Sequence, residues 1–170
     1  MRLRNYLFLL IILFSASNIF AQLKIGYVDS DAVIKQLPDA QDAQKKIDAQ
    51  IEVWQKELDA IKKEWKDKYD DYERRKLIMG NQKKAETEKE LVALEDKVEQ
   101  YRQAKFGVNG ELFKKQEELM KPIQNQVFTA IEEVAVEKEL DFVFDRSGDL
   151  IFLYAKEEYD ITPAVLSKLQ

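Results

Sequence analysis

The sequence predicts a mainly helical α+β fold: a long antiparallel helical hairpin projecting from a small β-sheet body. That body is formed by the two chain ends and completed by other subunits. Three observations carry this reading. Apolar residues recur every three or four positions through a charge-rich middle, as on one face of a helix. Short, continuously apolar runs of strand type occur only near the two ends. Gly80 and Asn81 break the helical pattern halfway.

The start of the chain has the three parts of an export leader. Arg2 and Arg4 give a positive opening, residues 6–14 are unbroken apolar, and a polar stretch leads to Ala21. The apolar run is shorter than the ~20 residues that span a bilayer. Cleavage after about Ala21 is expected, an uncleaved anchor being the rival. Residues 1–21 are therefore set aside as a signal peptide, and the remainder is the size of one domain.

Composition narrows the function classes. Charged residues make up 35% of the chain and aromatic ones 11%. The first figure favours long solvated helices, and the second argues against disorder. There is no Cys and no His, so thiolate chemistry is excluded and the commonest general base and metal ligand are missing. No catalytic residue, cofactor or metal ligand is expected. The formal net charge is −5, and loss of Arg2 and Arg4 with the leader takes it to −7. Such a chain is a poor partner for nucleic acid, where affinity comes mainly from phosphate neutralisation.

Element by element, residues 24–29 read as a strand ending in Asp29, Ser30 and Asp31, which can cap a short helix to Leu37. Pro38 is expected to stop that helix. From Asp39 to Met79 there is no Pro or Gly. Ile47, Ile51, Trp54, Leu58, Ile61, Trp65, Tyr69 and Tyr72 form a near-heptad stripe, with one extra residue after Trp65. A left-handed turn is expected at Gly80 and Asn81. The return helix carries Ala85, Leu91, Leu94, Val98 and Tyr101, and two such stripes pack against each other. Gly107 and Gly110 interrupt it as a candidate hinge. The pattern resumes from Glu111 through Leu119, Ile123, Val127, Ile131 and Val134, with a bend expected near Met120 because of Pro122. Residues 142–145 and 150–154 read as a β-hairpin around the turn at 146–149. Thr162 is expected to cap a final helix that Pro163 opens.

The expected organisation is a signal peptide at 1–21, body at 22–40 and at 121–170, and a hairpin at 41–120 with its turn near 77–82. The strand runs are too short and too apolar to stand alone. Ile25, Tyr27, Val28, Phe142, Val143, Phe144, Ile151 and Leu153 are the candidate subunit interface.

With these features on one chain, the sequence resembles the Skp/OmpH family of periplasmic outer-membrane-protein chaperones. The resemblance is carried by the opening Lys24-Ile25-Gly26-Tyr27-Val28-Asp29 and by the heptad-like middle. It continues through the return segment from Phe106 to Lys115, the stretch Lys121-Pro122-Ile123 and the closing Leu140-Asp141-Phe142-Val143-Phe144-Asp145. It implies a periplasmic homotrimer with three helical tentacles around a cavity. Unfolded outer-membrane β-barrel proteins would be held there without ATP. This chain is acidic where the best-known members are basic, so a basic cavity is not carried over.

Two readings are open for several groups. Trp54, Trp65, Tyr69 and Tyr72 are either hairpin core or soft client contacts. At the turn, Arg74, Arg75, Lys76, Leu77, Ile78, Met79, Lys83 and Lys84 are either a solvated end with a small apolar latch or a surface for clients. The same surface could make a transient contact with the membrane or lipopolysaccharide. Carboxylate pairs such as Asp70-Asp71 read as surface ion-pair patterning. The glycines lack the context of a phosphate loop. A structural coiled-coil spacer of the cell envelope is the alternative function.

Overall fold

The computed structural model describes residues 23–148 and 153–170. The expected leader lies outside the described residues, as do Leu150, Ile151 and Phe152 of the second strand run.

Strand β1 is Ile25–Val28 and leads through Asp29 into helix α1, Ser30–Gln36. The Asp29 carboxylate accepts a hydrogen bond from the Ala32 N–H and so satisfies a donor at the helix start. Leu37 is extended, as a residue before proline prefers, and α1 ends there. Pro38 does more than stop it. It is also the first residue of α2, Pro38–Arg75, where its missing N–H costs nothing. At 1.5 Å per residue, α2 is roughly 57 Å long.

Helix α3, Asn81–Phe106, returns along α2. The left-handed turn expected at Gly80 is not made: Gly80 has φ −68° and ψ 151°, and its carbonyl accepts from the Lys84 N–H. Helix α4 is Glu111–Glu137 and runs through Pro122. Its end is a Schellman motif, with Leu140 N–H bonded to Ala135 O and Glu139 N–H to Val136 O. Glu139 takes the left-handed position there with φ 51°.

Strand β2, Phe142–Asp145, follows, then a single 3₁₀ turn at Glu157–Tyr159 and helix α5, Thr162–Leu169. Thr162 was expected as the cap of α5 but is its first residue. Asp160 accepts from the Thr162 N–H, and the Thr162 hydroxyl accepts from the Asp29 N–H.

Strand β2 pairs in parallel with β1, and the second strand of the expected β-hairpin lies mostly outside the described residues. β1 and β2 align with Ile25 beside Phe142, Gly26 beside Val143, Tyr27 beside Phe144 and Val28 beside Asp145. Of the second run, the described Leu153 and Tyr154 belong to no strand and are exposed. Parallel neighbours need a long crossover. Here the whole helical hairpin is that crossover, which is how the chain ends meet. On the other side of β1, Tyr27 bridges to Asp160.

The core lies in this body. Val33 of α1, Val127 and Val134 of α4, and Ile161 and Val165 around α5 are among its most enclosed side chains. Ala40 and Ala43 bring the first turns of α2 close.

A polar clasp locks the body. Asp145 accepts from the Ser30 hydroxyl and N–H and from the Ser147 N–H, while the two serine hydroxyls lie 2.9 Å apart. Burial pushes the Asp145 carboxyl up, but the bonds from Ser30 and Ser147 together outweigh it and hold its pKa below 3.8. A depressed pKa means stability that is present above the unfolded value of about 3.9 and lost as pH falls through the folded one. Asp145→Ala should therefore cost about 1 kcal/mol at pH 7. The difference between parent and variant in denaturant midpoint should shrink below about pH 4. A gap that is unchanged at acid pH would contradict this role.

Candidate functional site

Among the described residues no group of three or more acidic side chains could hold a metal ion, and no helix is long and apolar enough to cross a membrane. What the described residues offer is exposed apolar surface, most of it in three places, plus a seam that conceals some of the expected contacts.

The first place is one face of the sheet. Side chains beside each other in paired strands share a face, so Ile25, Tyr27, Phe142 and Phe144 lie together. Gly26 and Val143 lie on the opposite face. A Cβ at Gly26 would come within 2.8 Å of the Leu140 side chain, and Val143 packs on the core. The face bearing Ile25, Phe142 and Phe144 is open, with Phe144 39% exposed, whereas Tyr27 is covered and has the Arg146 guanidinium over its ring. Leu23, Tyr154 and Tyr159 extend it into a groove. Parallel sheets are normally covered on both faces.

The second place is the outer side of the long helices. Phe113 and Phe128 of α4 are 50% and 53% exposed, though Ile123 and Val127 of the same helix are buried. They are fifteen residues apart, close to four helical turns, and so lie toward one side. Val53 of α2 and Val92 of α3 are also open. Sequence reasoning missed these. Their only signal is an apolar residue just off the main stripe.

The third place is the tip. Leu77 and Ile78 are almost fully exposed, while Met79 is half-buried. Four of the five cations there have acidic partners: Arg74 and Arg75 with Asp71, Lys76 with Glu73, and Lys83 with Glu86.

The seam changes the expected aromatic contacts. Trp54 and Tyr72 are only 7% and 8% exposed, so a closed hairpin presents neither to a ligand. Trp54 meets Phe106 edge-on, and the Lys105 ammonium lies over the Trp54 ring, 5.2 Å from its centre. Trp65 is half-buried and stacks on the exposed Tyr69. Hydrogen bonds cross the seam from Trp65 to Glu95, from Tyr72 to Glu88 and from Tyr101 to Glu57. The bond to Glu88, reinforced by burial and by neighbouring charge, pushes the Tyr72 hydroxyl up to about 12. Burial and then Glu57 do the same for Tyr101, to about 12. Both hydroxyls stay protonated and keep donating across the physiological range. Apolar cover on the α3 side is thin: only Thr87 and Leu91 are buried there, and Ala85 is exposed.

Neither candidate hinge glycine is helical. Gly107 is extended at φ −72° and ψ 172°, and Gly110 at φ −66° and ψ −179°. They bound a four-residue connection in which Asn109 has φ 61°, a conformation Asn tolerates. The interruption is thus a joint between two helices rather than a weak stretch of one.

Comparison with known proteins places this architecture. The outer membrane protein (OmpH-like) family model matches residues 24–169. A solved chain of Caulobacter crescentus CB15, described as an OmpH-like candidate outer membrane chaperone, superposes with a TM-score of 0.67. It is 15% identical, with 88% of this chain and 85% of that chain covered. At that identity the likeness shows the fold. No curated protein matches the sequence.

Proposed function

The chain belongs to the OmpH-like outer membrane protein family, and from that premise we propose that it is a periplasmic holding chaperone for unfolded outer-membrane proteins. It acts as a homotrimer and uses no nucleotide. The open apolar sheet faces pack together to form one body, and the hairpins surround a cavity. The observation that carries the reading is the long charged helices with single large apolar side chains left open on them, Phe113 in the hairpin and Phe128 nearer the body above all.

Holding is then a physical process. Isolated aromatic contacts amid charge are each weak, and many engaged at once capture a client while every one remains reversible. Ion pairs such as Lys63–Asp67 and Lys66–Asp70 keep the helix surface hydrated. An unfolded client is therefore gripped without the helices sticking to one another. The four-residue joint at 107–110 lets the distal hairpin adjust to client size. Release occurs when the client reaches a more stable state in a membrane.

Light scattering of a β-barrel protein diluted from urea tests this reading. The chain should suppress aggregation at about one trimer per client, without nucleotide. Unchanged scattering at several-fold excess would favour the envelope-spacer role instead.

A further inference from the structure

We propose that Asn109 is a self-modifying site in the joint between α3 and α4. Its side-chain amide is converted to a carboxylate through a cyclic imide formed with the backbone nitrogen of Gly110. Asn109-Gly110 is the one Asn-Gly step in the sequence. Ring closure needs the nitrogen of the following residue to reach the side-chain carbonyl carbon, and Gly110 has no Cβ to obstruct that approach. Asn109 is exposed and lies outside both helices. The other two asparagines among the described residues are held differently. Asn81 opens α3 and Asn125 lies inside α4, each is followed by glutamine, and the Asn125 carbonyl accepts from the Thr129 hydroxyl. Regular helix fixes the next nitrogen away from the side chain.

The step balances with water alone. The Gly110 nitrogen bonds to the Asn109 Cγ, and its proton leaves with the amide nitrogen as ammonia. Water then opens the ring at either carbonyl. One product is aspartate, and the other is isoaspartate, in which the main chain runs through the side-chain carbon. In the closed joint the Gly110 N–H donates to the Gly107 carbonyl at 2.9 Å, and Gly110 is buried. That bond keeps the proton on the nitrogen, so ring closure proceeds while the turn is open. The rate therefore follows local opening of the joint. The products loosen the joint further. Isoaspartate adds one atom to the main chain of a turn closed by that bond. Either product places a carboxylate two residues from Glu111, which pairs with Lys105 at 2.6 Å across the joint. Lys105 is the cation over the Trp54 ring, and a second acid beside Glu111 competes for it. The freedom of the distal hairpin thus grows as the chain ages.

The test ages the chain without its expected leader, residues 22–170, in mildly acidic and mildly alkaline buffer. Peptide mass spectrometry with electron-transfer fragmentation reads each asparagine over time. Asn109 should convert first, with Asn81 and Asn125 still amides when half of it has changed. Conversion should be faster in the alkaline buffer and should give aspartate and isoaspartate together. Equal rates at the three sites, or aspartate alone, would overturn the proposal. Hydrogen exchange is then compared between fresh and aged protein. It should be faster around residues 103–114 in the aged parent, with the body's protection unchanged. Asn109→Gly has no amide to lose and tolerates the φ of 61°, so its exchange should not change on ageing. Aged parent that exchanges like fresh parent, or Asn109→Gly that loosens equally on ageing, would overturn the effect on the joint.

Discussion

Phe144→Asp should abolish the oligomer and client holding while leaving each subunit folded. Phe144 is 39% exposed in the single chain, so a carboxylate there keeps access to water and the subunit core is untouched. In the proposed trimer the same face is covered. An unpaired charge would then be buried, at a cost of about 3–5 kcal/mol per site. Sedimentation should show the parent at about three times the chain mass and the variant as a monomer, with similar helical circular dichroism. Arg74→Ser with Arg75→Ser and Lys76→Ser is the control, and its oligomer should stay intact. If both variants dissociate alike, or if Phe144→Asp stays assembled, the division into body and tip is wrong.

Gly107→Ala should destabilise the joint, the reverse of what helix propensity suggests. An alanine inside a helix gains about 1 kcal/mol over glycine, which would stiffen a kinked helix. Gly107 lies outside α3 and α4, and a Cβ there would approach the Gln103 carbonyl oxygen to 2.4 Å. At Gly110 the nearest atoms are the carbonyl oxygens of Gly107 and Ala104, at 2.9 and 3.0 Å. These are backbone atoms and cannot swing aside. Overpacking of this kind costs roughly 1–3 kcal/mol. Hydrogen exchange should show faster opening around residues 103–114 in the variant, with the body's protection unchanged. Slower exchange there would restore the picture of a flexible continuous helix.

Much of the architecture was legible because its signals are local. The stripe from Ile47 to Tyr72 marked α2, and the break at Gly80 marked the turn. The four-residue step from Trp65 to Tyr69 also has a visible consequence. It shifts the phase of the stripe, so Tyr69 points outward and Tyr72 returns to the seam. That the two chain ends meet in one sheet was legible, but which run lies beside which was not. The runs at 25–28 and 142–145 are nearly continuous in apolar character, so neither alternation nor spacing names a partner. The turn residues at 146–149 favoured the nearer strand, whereas β1 is more than a hundred residues away.

The glycine joint was hidden for a different reason. Two glycines flanked by helix formers look the same whether they bend one helix or separate two, and only the backbone angles distinguish these. The clasp of Ser30, Asp145 and Ser147 joins residues from both ends of the chain, so no local pattern reveals it. Burial depth was also beyond reach. A stripe says which side of a helix is apolar but not how well the partner covers it. For that reason Trp54 and Phe113, similar in sequence context, differ so much in exposure.

Holding an unfolded client is the central claim, and sedimentation of the chain with its client tests it most directly. A urea-unfolded outer-membrane β-barrel protein is diluted into the trimer without nucleotide. The account predicts one soluble complex of about one client per trimer, with the client protease-sensitive until detergent or lipid lets it fold. A client that pellets while the chain sediments at its own unchanged mass would contradict the account.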